Sequence, residues 1–253
     1  YIQSHITHFY HLSALDFVDV TAVLKYSGSD RTLQALKGWV ANALDRSQRG
    51  TELYPAAPFL PRFEGDYVTD VDTNCALLAH YVEALNMRRI AEEMAAVFCA
   101  KLPHSTSIFP GGCSQAPTLE RIMTYRSRLK VLQEFVNHVF FNDVVTAAQA
   151  FPQYWELGKG YGDLLCFGIF EMDEAGTKFF PAGTIIDGKA GTVDVGRISE
   201  DVGHAWFSSP SGQHPSRGST VADPRKAKAY SWIKAPRYGG RPMEVGPLAR
   251  VMV

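Results

Sequence analysis

Cysteine is scarce in this sequence, and the cysteines present are never close together. Cys75, Cys99, Cys113 and Cys166 are the four in 253 residues, and the nearest two are fourteen positions apart. No pair therefore has the short spacing that presets two thiolates around one metal. Nor is this the dense cysteine framework of a short disulfide-stapled domain. The expectation is four reduced, small, mostly buried side chains, with Cys113 set apart because it follows Gly111-Gly112. An excess of either charge is also missing. Lys plus Arg number 25 and Asp plus Glu 26, a net charge of −1. There is no basic field to draw phosphates or anionic lipid, so nucleic-acid and membrane-surface partners are disfavoured. A run of about 20 apolar residues that would span a bilayer is absent, as are internal repeats and low-complexity tracts.

What is present reads as a folded chain, 46% hydrophobic and 20% charged, a composition that can bury a substantial core. Both ends look cut: Tyr1 opens with an amphipathic pattern already running, and Val253 lies inside the apolar run from Pro247. The expectation is an internal piece of a larger subunit, with apolar surface left exposed when it stands alone.

The periodicity is helical first. Ile6, Phe9, Tyr10, Leu12, Leu15, Phe17, Val18, Val20, Val23 and Leu24 predict a largely buried helix over 4–26. A second is expected from a cap at Asp30 to Gly50. Residues 51–69, with Pro55, Pro58 and Pro61, read as an extended connection. The longest helix is expected over 73–101, its core stripe Leu77, Leu78, Tyr81, Leu85, Ile90, Met94, Val97 and Phe98, until Pro103 stops it. Its bundle partner starts near Thr118 and runs to Ala150. Beyond Gly158 the pattern changes. Leu164–Phe170, Phe179–Ile186 and Thr192–Val195 predict strands of a small antiparallel element, and 208–229 a long surface loop. The fold class is thus mainly α, α+β overall, a long-helix bundle core with a small antiparallel β element in the C-terminal half. The organisation is a helical region over 1–157, then 158–253 with the β element, the loop and the start of a further helix.

Three segments carry chemistry. His5-Ile6-Thr7-His8-Phe9-Tyr10-His11-Leu12 repeats histidine every third residue, so adjacent rings can meet on one helix side. A metal site is geometrically open there, but the aromatic surroundings read better as a buried hydrogen-bonding network. Pro103-His104-Ser105, running to Pro110-Gly111-Gly112-Cys113-Ser114, places a histidine at a helix exit before a glycine turn. Tyr230 to Tyr238, YSWIKAPRY, joins aromatics to Lys234 and Arg237, a composition favoured at buried contacts.

Together with Glu244-Val245-Gly246-Pro247-Leu248-Ala249, these segments resemble the large subunit of nickel–iron hydrogenases of the uptake type, over essentially the whole chain. That family holds its metal centre with two Cys-x-x-Cys pairs, one near each end of the full subunit, and neither pair is here. The resemblance implies an oxidoreductase that oxidises H2 and passes electrons to an iron–sulfur small subunit in a heterodimer. It implies a nickel–iron centre with CO and cyanide ligands in the complete subunit, and a periplasmic or membrane-associated setting. In this chain it implies no catalytic residue and no metal ligand.

Ser4, His5 and His8 would lie just behind the centre's ligands; several members have aspartate where Ser4 stands, so the hydrogen bond is kept without the charge. His104 would lie near the partner's iron–sulfur cluster, tuning potential or ordering the electron path. Trp232, Lys234, Arg237 and Tyr238 would form a subunit contact. The family's catalytic arginine also follows an Ala-Pro pair, but in a later segment, so Arg237 is not its counterpart. Two other readings stay open. One is the related respiratory complex I subunit, which lacks the metal-binding cysteines and serves as a quinone-site scaffold. The other is a purely structural interaction module.

Overall fold

A computed structural model describes residues 1–49, 59–60 and 63–253, which fall into two compact units, Tyr1–Tyr154 and Trp155–Val253. The expected end of the second helix at Gly50, and most of the proline-rich connection after it, lie outside the described residues.

Unit 1 is helical. Its first stretch is wound with two wide π-type turns, Ile2–Ile6 and Phe9–Ser13, before α1 (Ala14–Phe17). The single helix expected over 4–26 is broken at Val18 and Asp19, which are extended. Asp19 Oδ1 accepts from the Thr21 N–H at 2.9 Å and the Thr21 hydroxyl at 2.6 Å, so a side-chain turn wins over helix continuation and starts a 3₁₀ segment, Val20–Lys25. Burial is one-sided: Tyr10, Ala14 and Phe17 are inside, while His5, His8 and Leu12 are exposed.

Helix α2 (Arg31–Gln48) starts at the expected cap, Asp30 Oδ1 accepting from Leu33 N–H at 2.9 Å. Helix α3 (Val71–Cys99) is capped by Asp70, whose carboxylate accepts from Thr73 N–H at 2.7 Å. Its buried residues are Asn74, Cys75, Leu77 and Leu78 in the first half and Ala84, Met87, Ala91 and Met94 in the second, the latter at three- and four-residue steps. Leu85, expected in the core stripe, is 49% exposed. Small Ala84 and Ala91 hold the buried positions instead, because they let neighbouring helices approach. Buried Asn74 is fully used: it accepts from Asp19 N–H at 2.7 Å and donates to Val68 O and Asp70 O at 2.7 and 2.9 Å.

Helix α4 (Leu119–Phe135), capped by Thr118, passes through a wide turn, Val136–Phe140, into α5 (Phe141–Ala150). It is the bundle partner expected for α3: Leu132 and Phe135 pack with Ala84, Met87, Ala91, Met94 and Tyr10. A second cluster joins Phe17, Val20, Val23, Val40, Leu77, Leu78 and Phe151. Between α3 and α4 a hairpin pairs β1 (Ile108–Phe109) with β2 (Gly112–Cys113) through Pro110-Gly111, and the φ values of 98° at Gly111 and 152° at Gly112 suit glycine.

Unit 2 is built from short antiparallel pairings. β3 (Leu164–Glu171), β4 (Lys178–Ile186) and β5 (Lys189–Gly191) form one sheet, and β6 (Ile198–Asp201) pairs with β7 (Ala235–Tyr238). The strand expected over 192–195 is absent. Asp194 turns the chain there, its Oδ1 accepting from Gly196 N–H at 2.9 Å, and a 3₁₀ turn, Val195–Arg197, follows. The loop 208–229 is tied by its own polar atoms: Lys226 Nζ donates to Val202 O and Phe207 O at 2.6 and 2.8 Å, and Ser209 Oγ to Ser219 O at 2.5 Å. A short helix, α6 (Pro247–Met252), lies against β3. Among the described residues no helix is long and apolar enough to cross a membrane.

Candidate functional site

The histidine-bearing first segment does not form the buried network expected of it. His5 and His8 are exposed, and only His5 has a polar partner here, its Nδ1 lying 2.8 Å from Ser4 Oγ. His11 stands edge-on to the Tyr81 ring at 5.2 Å with both ring nitrogens buried and unpaired. Burial pushes its pKa below the ordinary histidine value. The cause is winding. The rings are spaced by π-type as well as α turns, so three-residue steps do not gather them.

The polar cluster that does form sits one residue away and was not singled out in the sequence. Tyr10, fully buried, donates its hydroxyl proton to Asp143 Oδ2 at 2.6 Å, and His80 Nδ1 lies 2.7 Å from the same oxygen. Asp143 is only 6% exposed. A buried carboxylate is tolerable because it is hydrogen-bonded and has a cation available. Its hydrogen bond raises the His80 pKa above the ordinary value, against the opposing effect of burial. Burial, then Asp143, pushes the Tyr10 hydroxyl far above the usual phenol range. The three residues come from the first segment, α3 and α5. The one signal for this site in the sequence is an aspartate on the apolar side of a helix, at Phe141-Asn142-Asp143-Val144.

The second motif forms a small exposed platform after α3. Ala100 and His104 both have left-handed backbones, φ 63° and 62°, around a cis Leu102–Pro103 bond, and His104 points outward, exposed. Ser105 Oγ donates to Cys99 O at 3.0 Å and Ser107 Oγ to Phe98 O at 2.5 Å, fixing the exit of the helix. Cys113 is exposed, its Sγ 3.6 Å from Ser107 Oγ and 3.3 Å from Phe98 O. The Gln115 N–H, then the Ser107 hydroxyl, lower its pKa. Of the four free cysteines only Cys75 and Cys166 are buried, fewer than expected. Ile108 and Phe109, 67% and 52% exposed, complete an apolar tip.

In the third motif the residues divide. Tyr238, expected at a subunit contact, is inside its own unit at 2% exposure: its hydroxyl accepts from Asp194 N–H at 2.8 Å, and the Arg197 guanidinium stacks 4.6 Å from its ring. Lys234 Nζ pairs with Glu200 Oε2 at 3.0 Å, and Arg237 with Asp201 Oδ2 at 3.4 Å. Trp232 stands half out beside Trp206 and Phe207, with Tyr230 and Ile233 each about three-quarters exposed.

These residues do not make a nickel–iron ligand set. Among the described residues no group of three or more His, Cys, Asp or Glu side chains is placed to hold a metal, and the four cysteines lie apart on α3, β2 and β3.

Unit 1 is thus a helical bundle carrying the Tyr10–Asp143–His80 cluster, and unit 2 a set of short antiparallel pairings. Comparison gives the class its family. The nickel-dependent hydrogenase family model matches residues 1–253, and the chain belongs to that family. It is similar to the periplasmic NiFeSe hydrogenase large subunit of Desulfomicrobium baculatum, 36% identical over 100% of this chain and 45% of the relative. It is also similar to the quinone-reactive Ni/Fe-hydrogenase large chain of Wolinella succinogenes, 30% identical over 100% of this chain and 51% of that one. Among solved structures, the reduced, active Ni-Fe-Se hydrogenase of D. baculatum superposes with a TM-score of 0.77 at 35% identity, over 99% of this chain and 47% of that one. The as-isolated oxidised Ni-Fe-Se hydrogenase of D. vulgaris Hildenborough gives 0.76 at 35%, covering 99% and 46%. The chain spans about half the length of the relatives it matches.

Proposed function

We propose that this chain is part of the large subunit of a hydrogenase that oxidises H2 and passes the electrons to an iron–sulfur small subunit in a heterodimer. The observation that carries this is the family match along the whole of residues 1–253, with solved NiFeSe hydrogenases superposing over 99% of the chain. A nickel–iron centre with CO and cyanide ligands belongs to the complete subunit in this reading, and its ligands come from outside these residues. A periplasmic or membrane-associated setting is supported by the relatives' names, one periplasmic and one quinone-reactive.

The chain's own residues would supply surroundings and contacts. Ser4 and His5, hydrogen-bonded to each other, and exposed His8 are available to groups approaching the first segment. His104 is held outward by its backbone and is available to a partner's cluster. Trp232 supplies apolar area for a subunit contact, while Lys234 and Arg237 are already engaged by carboxylates and keep only part of their donors for it. Both regions, 1–157 and 158–253, would contribute such contacts, His104 from the first and Trp232 from the second. The test is to purify the full-length protein with its co-expressed iron–sulfur subunit and measure H2-dependent reduction of a viologen dye. Uptake of H2 supports the reading. A metal-loaded heterodimer without uptake, or a full-length protein that carries no nickel, overturns it.

A further inference from the structure

The Tyr10–Asp143–His80 cluster coincides with the wide turns of unit 1. Tyr10 lies inside the turn Phe9–Ser13, and Asp143 follows the turn Val136–Phe140 by three residues. A π-type turn is rare and occurs mostly as a single turn inside an α-helix, so contacts outside the turn must favour it. Here one turn carries Tyr10 and the other precedes Asp143, and Tyr10 and His80 of α3 meet at a single oxygen of that carboxylate. Aromatic contacts set the rest: the Phe140 ring is edge-on to Phe9 at 5.7 Å and lies 6.5 Å from Tyr10.

We propose that Asp143, Tyr10 and His80 form a pH-sensitive clamp that holds the first segment and α5 to α3 by keeping both wide turns wound, with His80 as the group that titrates. His80 suits that role by position. Its side chain is 30% exposed and can exchange a proton with solvent, while Asp143 is buried and Tyr10 is fully so. Protonated, His80 makes a charge-assisted bond to the carboxylate; neutral, it leaves Asp143 with weaker partners in a buried site.

The charges facing the cluster act in the same direction. Asp143 faces His80 from α5, and Glu83, one turn along α3, adds a second negative charge. Tyr10, facing from the first segment, stays neutral. His11, near His8 and Arg88, stands edge-on to the Tyr81 ring instead. Further along α3, Glu92 and Glu93 are held by Gln3, Arg88, Arg89 and by Arg128 of α4.

The clamp is independent of hydrogen chemistry, and its test reads backbone opening rather than activity. Amide hydrogen exchange of the full-length protein is followed by mass spectrometry at about pH 6 and about pH 8.5, either side of the ordinary histidine range. Peptides covering 2–13 and 136–146 are compared after correction for intrinsic rates. Opening of both is expected to be roughly fivefold more frequent at the higher pH, the difference between a charge-assisted and a neutral hydrogen bond. His80→Gln should abolish the pH dependence, and Tyr10→Phe, which keeps the ring and the packing, should raise opening in both peptides at both pH values. Equal protection at the two pH values in the unaltered protein, or a dependence that survives His80→Gln, overturns the proposal.

Discussion

Unit 1 and unit 2 solve the same problem with different materials. Among the described residues of unit 1, two clusters of buried side chains, one of fifteen residues, gather the long helices α2, α3 and α4 with the shorter segments packed on them. In unit 2 the compact apolar cluster is Val202, Ala205 and Phe207. The remaining order rests on ladders of three to nine residues and on side chains tied to backbone, such as Lys226 to two carbonyls and Asp163 to the Asp187 N–H and Arg241. Burial is roughly additive and non-directional, whereas each polar tie is directional and nets little. Unit 1 should therefore lose stability mainly by losing volume, and unit 2 by losing particular hydrogen bonds.

The sharpest break of that contrast is a truncation in each unit. Leu132→Ala removes a side chain that is 0% exposed between Tyr10, Met87 and Phe135, and is expected to cost about 3 kcal/mol. Val202→Ala in the small cluster should cost about 1 kcal/mol. Chemical denaturation in single-tryptophan backgrounds, one keeping Trp39 for unit 1 and one keeping Trp206 for unit 2, separates them. Equal costs would remove the distinction between a core-held and a tie-held unit.

Asp143→Asn tests the exception inside unit 1, a polar tie in a core-held body. It leaves a weakened acceptor for Tyr10 and His80 and is expected to destabilise by about 2 kcal/mol. The pH dependence has a definite sign. The folded pKa of His80 is raised, so its contribution is fully present below the unfolded value of about 6.5 and is lost as pH rises through the folded one. Denaturation midpoints of the unaltered protein should fall across that window, and those of Asp143→Asn should stay flatter. Tyr238→Phe is the matching test in unit 2. It removes the hydroxyl that accepts from Asp194 N–H, leaving that donor without its partner, for about 1–2 kcal/mol.

The same contrast governs what could be read from the sequence. Asp30 and Thr118 announce helix starts because a cap is a local, chemical signal, whereas the cap at Asp70 was passed over and α3 starts at Val71, ahead of the expected residue 73. β3 and β4 are legible because each is a long apolar run bounded by turns. β6 and β7 are not. They are four residues each, and their partners are 34 to 40 positions apart, from Asp201 with Ala235 to Ile198 with Tyr238. The break at Val18–Asp19 was hidden because the apolar pattern continues straight through it. Of the motifs, the helix exit before His104 was legible, because Pro103 closes a long apolar period. The Tyr10–Asp143–His80 cluster was not, because its members lie 63 and 133 residues apart and the turns that aim them have no recognised sequence signal.

Lys234→Met is expected to have the smallest effect. The methionine keeps a flexible stem near the Phe207 ring, which Lys234 Nζ approaches at 5.6 Å, and removes the ammonium that pairs with Glu200 and donates to Ser219 O at 3.2 Å. Both partners of the pair keep some water, with side chains 16% and 25% exposed, so Glu200 can be rehydrated when its cation goes. The net loss should be about 0.5–1 kcal/mol, below that of Tyr238→Phe, and should shrink with added salt. Denaturation at low and high ionic strength checks both the size and the slope. A loss as large as that of Leu132→Ala, unchanged by salt, would mean that this ion pair is desolvated beyond what its exposure implies. Unit 2 would then be held by one central charge pair rather than by many small ties.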